Sequence, residues 1–267
     1  VSSERPAITT RVAHAGHESQ RYRGYGLFED LLPSRLSQLL ILGITGRRVS
    51  VDVADLVDDI VLCVAVADPR IWPMKIARLA SSYGSDVAGL AAPFFAMADA
   101  RLGPAPFGPA ARALKDLVAD VGLEPSEGAL EGALSGWFLA RRFPPGFGVP
   151  FRSRDERADG LEASLRRRGR WELPYVRLYR QVVDTVRRRG WPEPNITLTS
   201  AAAFLDAGFE PEEIVPIMHV AAIPSFQANA VEEAHLRSTS LRRLPLECIE
   251  DRTPAPRKTA AKASEAE

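Results

Sequence analysis

The sequence predicts an all-α fold. Apolar residues recur at helical spacing almost throughout, strict apolar–polar alternation over strand length is hard to find, and stiff Pro/Gly-rich joints separate the periodic segments. With 46% hydrophobic residues in 267, there is enough apolar surface for one large domain or two modest ones.

In chain order, the first strong helix is "SVDVADLVDDIVLCVAVADP". Ser50 can cap its start, Asp52 suits the positive end of the dipole, and Leu56, Ile60 and Val64 share one face. Its last two turns are apolar all round, which predicts a central position. "SEGALEGALSGWFLARRF" starts with a capping-box spacing at Ser126, Glu127 and Glu131 and ends in arginines before Pro144; its internal glycines predict close helix packing. "ADGLEASLRRRG" and "YVRLYRQVVDTVRRRG" each close with arginines and then Gly169 or Gly190, cations on the negative dipole end followed by a residue suited to the left-handed cap. The joints "LGPAPFGP", "FPPGFGVP" and "WPEPN" read as loops of fixed shape, because proline presets φ. Residues 1–18 are expected to be a flexible N-terminus. The Ala/Lys/Glu/Pro-rich stretch 251–267 lacks aromatic residues and is expected to be disordered.

Charge narrows the function classes. The 34 basic and 34 acidic side chains cancel, so no net field favours nucleic acid or an anionic membrane, and no nucleic-acid reading motif is present. Cys63 lies in the apolar run "IVLCVAVA", which predicts a buried thiol rather than a disulfide or metal ligand; Cys248 is the other cysteine. No stretch approaches the roughly 18 apolar residues of a membrane span and no signal-peptide core is visible, so a soluble, cytoplasmic protein is expected. His14 and His17 have H-x-x-H spacing without the glutamate or third ligand a metal site needs, so no metal is expected. His219 faces either core or cleft, the core being the simpler placement, and His235 is expected to be exposed. Trp72 and Trp137 read as core or interface anchors.

Five segments, "YRGYGLFEDLLPSRLSQLLILG", "ADPRIWPMKIARLASSYGSD", "PPGFGVPFRSRDERA", "PNITLTSAAAFLDAGFEPEE" and "IPSFQANAVEEA", resemble in order and spacing the citrate synthase superfamily, particularly its short citryl-CoA lyase-like members. The resemblance implies a citrate synthase-like all-α fold with a large helical domain from residues 19–107 and 215–250 and a small helical domain, 108–214, inserted between them. It also implies a dimer, with a coenzyme A thioester or related carboxylic acid in the interdomain cleft.

The same resemblance counts against ordinary citrate synthesis. Where the family's "GPLHGGA" histidine polarises a thioester carbonyl, this chain has Pro106; where the "GFGH" histidine meets the second substrate, it has Val149; where the "NVD" aspartate removes the α-proton, it has Thr197. The family's carboxylate-binding arginine aligns with Ala222 and the histidine of that helix with Asn229. Claisen chemistry needs a base and donors to hold the enolate, and proline and valine supply neither.

The residues left to carry a site each have a plain structural alternative. Asp68 is either a stand-in base or a helix-terminal aspartate before Pro69. Arg152 and Arg154 are contacts to CoA or a carboxylate, or loop cations paired with Asp155 or Glu156. Arg78 is an anion contact or a structural partner. Asn195 and Thr197 contact a ligand or cap the helix beginning at Leu198. The arginine triplets could grip CoA phosphates, but helix closure explains them better. Two readings of function follow: a diverged carbon–carbon lyase or synthase acting on an acyl-CoA or related acid, or a non-catalytic acyl-CoA-binding protein or subunit beside a catalytically complete paralogue.

Overall fold

The computed structural model describes residues 9–17, 19–65, 68–97, 103–139, 144–149, 154–236, 245–248 and 250. Ten α-helices dominate them. The strands among the described residues form one small antiparallel meander, β1 (Ala13–Ala15), β2 (Gln20–Tyr22) and β3 (Tyr25–Gly26), with His14 opposite Arg21. Its first strand lies where the sequence reading placed flexible chain. It is held from outside: Arg23 donates from Nε and Nη2 to the Gly43 carbonyl at 3.0 and 2.5 Å, and the Tyr22 hydroxyl occupies the space a Cβ at Gly43 would need. Residues 1–8 and 251–267 lie outside the described residues.

Helix α1 (Leu36–Thr45) ends at Gly46 with φ 74°. Helix α2 (Val51–Val64) starts as expected, with Ser50 Oγ accepting from the Val53 N–H. It is not buried all round. Leu62 is 71% exposed while Leu56 and Ile60 are at 0%, so α2 is amphipathic with one face in the core. The helix enclosed on every side is α9 (Ile196–Asp206), whose residues from Ile196 to Leu205 are all buried. Ala201, Ala202 and Ala203 let neighbouring helices approach it closely.

Around α9 pack α5 (Phe107–Val121), α7 (Glu156–Arg167), α8 (Pro174–Arg189) and the start of α10 (Pro211–Leu236), forming with α1, α2 and α6 (Glu127–Leu139) one large apolar cluster. A second, smaller cluster joins α3 (Trp72–Ser81), α4 (Asp86–Ala96) and the later part of α10 through Met74, Met97 and Phe226. Gly89 marks the closest approach there: a Cβ would collide with Ser81 Oγ and come within 2.7 Å of the Ala77 carbonyl and 2.6 Å of Ala230 Cβ.

Two further expectations need correction. The glycines of α6, Gly128, Gly132 and Gly136, have nothing within 4 Å of a would-be Cβ, so they permit no close packing among the described residues. Helix α10 is 26 residues long and apolar enough by length and composition to cross a bilayer, contrary to the reading that no segment comes near. It joins both apolar clusters, which accounts for its apolarity as a core helix.

The arginine triplets do close helices, and each is also matched by acids on a neighbour. Arg167 and Arg168 reach Asp59 of α2, and Arg170 reaches Asp52 at 2.5 Å. Arg187 pairs with Glu193, Arg188 with Glu127 and Arg189 with Glu131. Burial pushes the Asp59 carboxyl up, but hydrogen bonds from Arg168 and Ser164 outweigh it and leave its pKa lowered. Arg167, Arg168, Arg188 and Arg189 thus clamp helix to helix.

Candidate functional site

The second and third joints fold against each other. Gly148 N–H donates to the Glu193 carbonyl at 2.7 Å, Asn195 N–H to the Gly146 carbonyl at 2.8 Å, and Asn195 Nδ2 to the Gly148 carbonyl at 2.8 Å. Phe147 and Pro194 form an antiparallel bridge between them. Gly146 has φ 111°, and a Cβ there would lie 2.9 Å from Leu198 Cβ, so both backbone and space require glycine. Asn195 is the N-cap of α9, its Oδ1 accepting from Thr197 N–H at 2.9 Å. The helix begins two residues before Leu198, which puts Thr197 inside its first turn, 9% exposed. Val149 is half-buried at the end of the turn.

Asp155 holds this arrangement from below. Its carboxylate is 2% exposed, accepts from Ile196 N–H at 2.9 Å at the head of α9, and takes both Nε and Nη2 of Arg157 at 2.7 and 2.9 Å. Its Oδ1 also accepts from Arg157 N–H, capping α7. Burial alone would raise its pKa; the Arg157 hydrogen bonds and charge, with the Ile196 N–H, more than reverse that and leave it lowered. Beside it opens a shallow surface hollow, large enough for little more than a water, whose lining includes Arg154, Asp159, Glu162, Tyr179, Arg187 and Glu193. Tyr179 OH donates to Glu162 Oε1 at 3.0 Å, and burial first, then the Glu162 charge, drives its pKa far upward. Arg154 is 58% exposed and bonds Asp159 through Nε at 2.8 Å.

A separate polar cluster lies between α3 and α10. Arg78 pairs with Glu232 and, at 2.7 Å, with Glu233, which is 1% exposed; it also donates to Asn229 Oδ1 at 3.4 Å. Asn229 Nδ2 donates back to the Ser225 carbonyl at 2.9 Å. The structure therefore joins Arg78 and Asn229 in one cluster, and Val149, Asn195 and Thr197 in another.

No protein-family profile matches the sequence, and no curated protein sequence does. Solved structures do match its fold. A citryl-CoA lyase from Hydrogenobacter thermophilus superposes with a TM-score of 0.77 at 18% identity, covering 96% of this chain and 98% of that one. The chain thus has a citrate synthase-like fold. An ATP citrate lyase from Methanothrix soehngenii, in complex with citrate and coenzyme A, matches with a TM-score of 0.67 at 18% identity, this chain spanning 44% of that longer one. Citrate synthase from Thermotoga maritima matches at 0.58 and 17% identity, over 86% of this chain and 61% of that one.

On this scaffold, Pro106 and Asp68 have local structural roles. Pro106 is the residue before α5, in right-handed conformation, and two residues on a Cβ at Gly108 would lie 2.8 Å from the Pro211 carbonyl, so α5 and α10 approach closely there. Asp68 takes Arg70 in a two-residue loop, with Arg70 N–H at 2.9 Å and the guanidinium on both carboxylate oxygens. Arg152 lies outside the described residues. His219, expected in the core, is exposed on α10 with its ring 6.2 Å from that of Phe94, because the buried face of that turn belongs to Ile217, Met218 and Ala221. His235 is exposed as expected. No group of three or more metal-ligating side chains occurs among the described residues.

The sequence reading missed Asp155 as the connection between α7 and α9. Its N-cap position was legible as an aspartate ahead of a helical run, whereas its burial against a helix 41 residues away was not.

Proposed function

We propose that the chain is a diverged acyl-CoA enzyme, a carbon–carbon lyase or synthase working through a non-standard site. The observation that carries this is the intact pairing of the 146–148 turn with residues 193–195 at the head of α9, on a scaffold that matches citryl-CoA lyase over 98% of its length. A turn with this much backbone order but no acid or base is suited to holding a ligand. The ligand is a coenzyme A thioester or a related carboxylic acid, the class named for the matched structures. Arg152 and Arg154 are its anion contacts; the exposed Arg154–Asp159 pair is weak enough to exchange for a phosphate or carboxylate. Val149, Asn195, Arg78 and Asn229 form the substrate side, and Asp68 and Thr197 are the remaining candidates for chemistry. The division into a large domain and an inserted small one, 108–214, and a cytoplasmic location belong to the same proposal.

The working unit is a dimer, of two copies or with a paralogue. Tyr83 and Phe95, each 81% exposed, and Val87 at 70% leave an apolar face on and around α3 and α4 that a second chain would cover. Tyr83→Arg with Phe95→Arg should convert dimer to monomer in light scattering; an unchanged mass would place the contact elsewhere.

The second reading, a non-catalytic binding protein or subunit, is favoured by a specific observation: Arg78 and Asp68, the charged candidates on the α3 side, are engaged by Glu232, Glu233 and Arg70. One experiment separates the two. Coenzyme A esters should raise the melting temperature in both, as ligands that bind only the folded state do. Thiol release or carbon–carbon cleavage should follow only in the first. Citrate formation from acetyl-CoA and oxaloacetate should stay below roughly 1 s⁻¹ in either case. Absence of any thermal shift with coenzyme A esters would defeat both.

A further inference from the structure

We infer that the acyl group of the ligand is a hydrocarbon chain rather than a carboxylate-bearing one, and that it lies against Val149 and the aromatic side chains around Phe147; this rests on the acyl-CoA reading above. The polar groups that shape the turn are spent inside the fold. Gly148 N–H and the Gly146 carbonyl are bonded to residues 193–195, and the Gly148 carbonyl is taken by Asn195 Nδ2. Asn195 Oδ1 is held by the Thr197 N–H, and the Asp155 carboxylate by Ile196 N–H and Arg157. A carboxylate or keto oxygen brought here would give up water and find these groups already engaged, a cost that a hydrocarbon does not incur.

What the turn offers instead is apolar. Phe147, 8% exposed, meets Phe138 edge-on with 5.2 Å between ring centres, and Trp137 at 6.2 Å. Phe138 in turn stacks on Trp191 at 4.9 Å, with 25° between the ring planes. Phe147 is covered, whereas Trp137, Phe138, Trp191 and Val149 are only half-buried. Pro192 continues the strip: it is exposed, and a Cβ at Gly148 would lie 3.9 Å from its Cβ, in ordinary contact. Half-buried aromatic surface beside a backbone turn of fixed shape is the kind of wall with which a small-molecule site buries hydrocarbon.

Neighbouring charge sorts the two ends of such a ligand. Asp155 bonds Ile196 and the adjacent Asn195 bonds Gly148, so Arg154 and Val149 each lie one residue from a group fixed on the head of α9. The cation, 58% exposed with a partner 41% exposed, is open to a phosphate, while the valine is not suited to any anion. The anionic end of a thioester and its acyl chain thus have separate neighbours at one helix head.

The test measures calorimetric affinity of the full chain for coenzyme A and for its acetyl, butanoyl, hexanoyl and succinyl esters. Affinity should rise about tenfold from acetyl- to hexanoyl-CoA, less than the roughly fourfold per methylene of full burial because the wall is half-open. Succinyl-CoA should bind more weakly than butanoyl-CoA, the ester of equal chain length without the carboxylate. Val149→Thr, which exchanges a methyl for a hydroxyl, should cut the preference for hexanoyl-CoA about threefold. Hexanoyl-CoA should also shift tryptophan emission, and of the 4 tryptophans the response should come from Trp137 and Trp191, identified by its loss in Trp137→Phe with Trp191→Phe. Equal affinity for the acetyl and hexanoyl esters, or tighter binding of succinyl- than of butanoyl-CoA, overturns the inference and leaves the acyl-CoA reading standing. A hexanoyl preference untouched by Val149→Thr, or an emission response confined to Trp72 or Trp171, overturns its placement at this turn. No binding of coenzyme A or of any ester overturns both.

Discussion

Around α9 every side is occupied: α5, α7 and α8 surround it, and its head is fixed by Asn195 and by the buried carboxylate of Asp155. Around α3 and α4 the opposite holds. Their shared contact with α10 is tight at Gly89, yet Tyr83, Val87 and Phe95 face outward, and the charged groups Arg78 and Glu233 sit at the seam. One region is packed on every side, and the other leaves apolar side chains exposed. That contrast is the reason to look for ligand shape in the first and for assembly in the second.

The largest test of the contrast is Asp155→Ala. Removing one partner of a buried ion pair leaves Arg157 and the Ile196 N–H without their acceptor, which should cost about 3–5 kcal/mol in urea unfolding. The pH dependence has a definite sign. A carboxylate whose folded pKa is lowered contributes stability that is fully present above its unfolded value, roughly 3.9, and is lost as pH falls through the folded value. Wild type should therefore lose stability below about pH 4 more steeply than Asp155→Asn. Parallel acid limbs would remove Asp155 from its central place.

Arg78→Ala should cost about 2–3 kcal/mol, since Glu233 loses a partner where it is 1% exposed. Arg154→Ala, whose pair is open to solvent, should stay within about 0.5 kcal/mol while weakening coenzyme A ester binding. Equal destabilisation by the two would erase the distinction between an arginine paired with a buried carboxylate and one whose pair is open to solvent. Gly89→Val should cost about 1–3 kcal/mol by overpacking the small cluster, read as a lower melting temperature. The smallest change has the opposite sign: Gly132→Ala, in a helix interior with open space around it, should stabilise by about 0.5–1 kcal/mol. Destabilisation there would mean that a partner chain sits against α6.

The helices were legible because their signals are local. Ser50, the arginine-rich helix ends with Gly169 and Gly190, and 3.6-residue periodicity act within a turn or two of the residues that carry them. The order of five segments likewise carried the fold class. The site was only half legible. Asn195 could be read as a cap because caps are set by neighbours in sequence.

What the letters could not contain is which surfaces meet. Glycines in α6 and at Gly89 look alike in sequence, yet one set faces open space and the other lies between three helices, because a glycine's role depends on what stands opposite it. Leu62 and Leu56 belong to the same apolar run, and tertiary packing alone decides that the first is 71% exposed and the second buried. The same holds for Asp155, Arg78 and His219. A charge or an imidazole is fixed by the sequence as a chemical group, but whether it is buried, paired or open to solvent depends on helices distant along the chain.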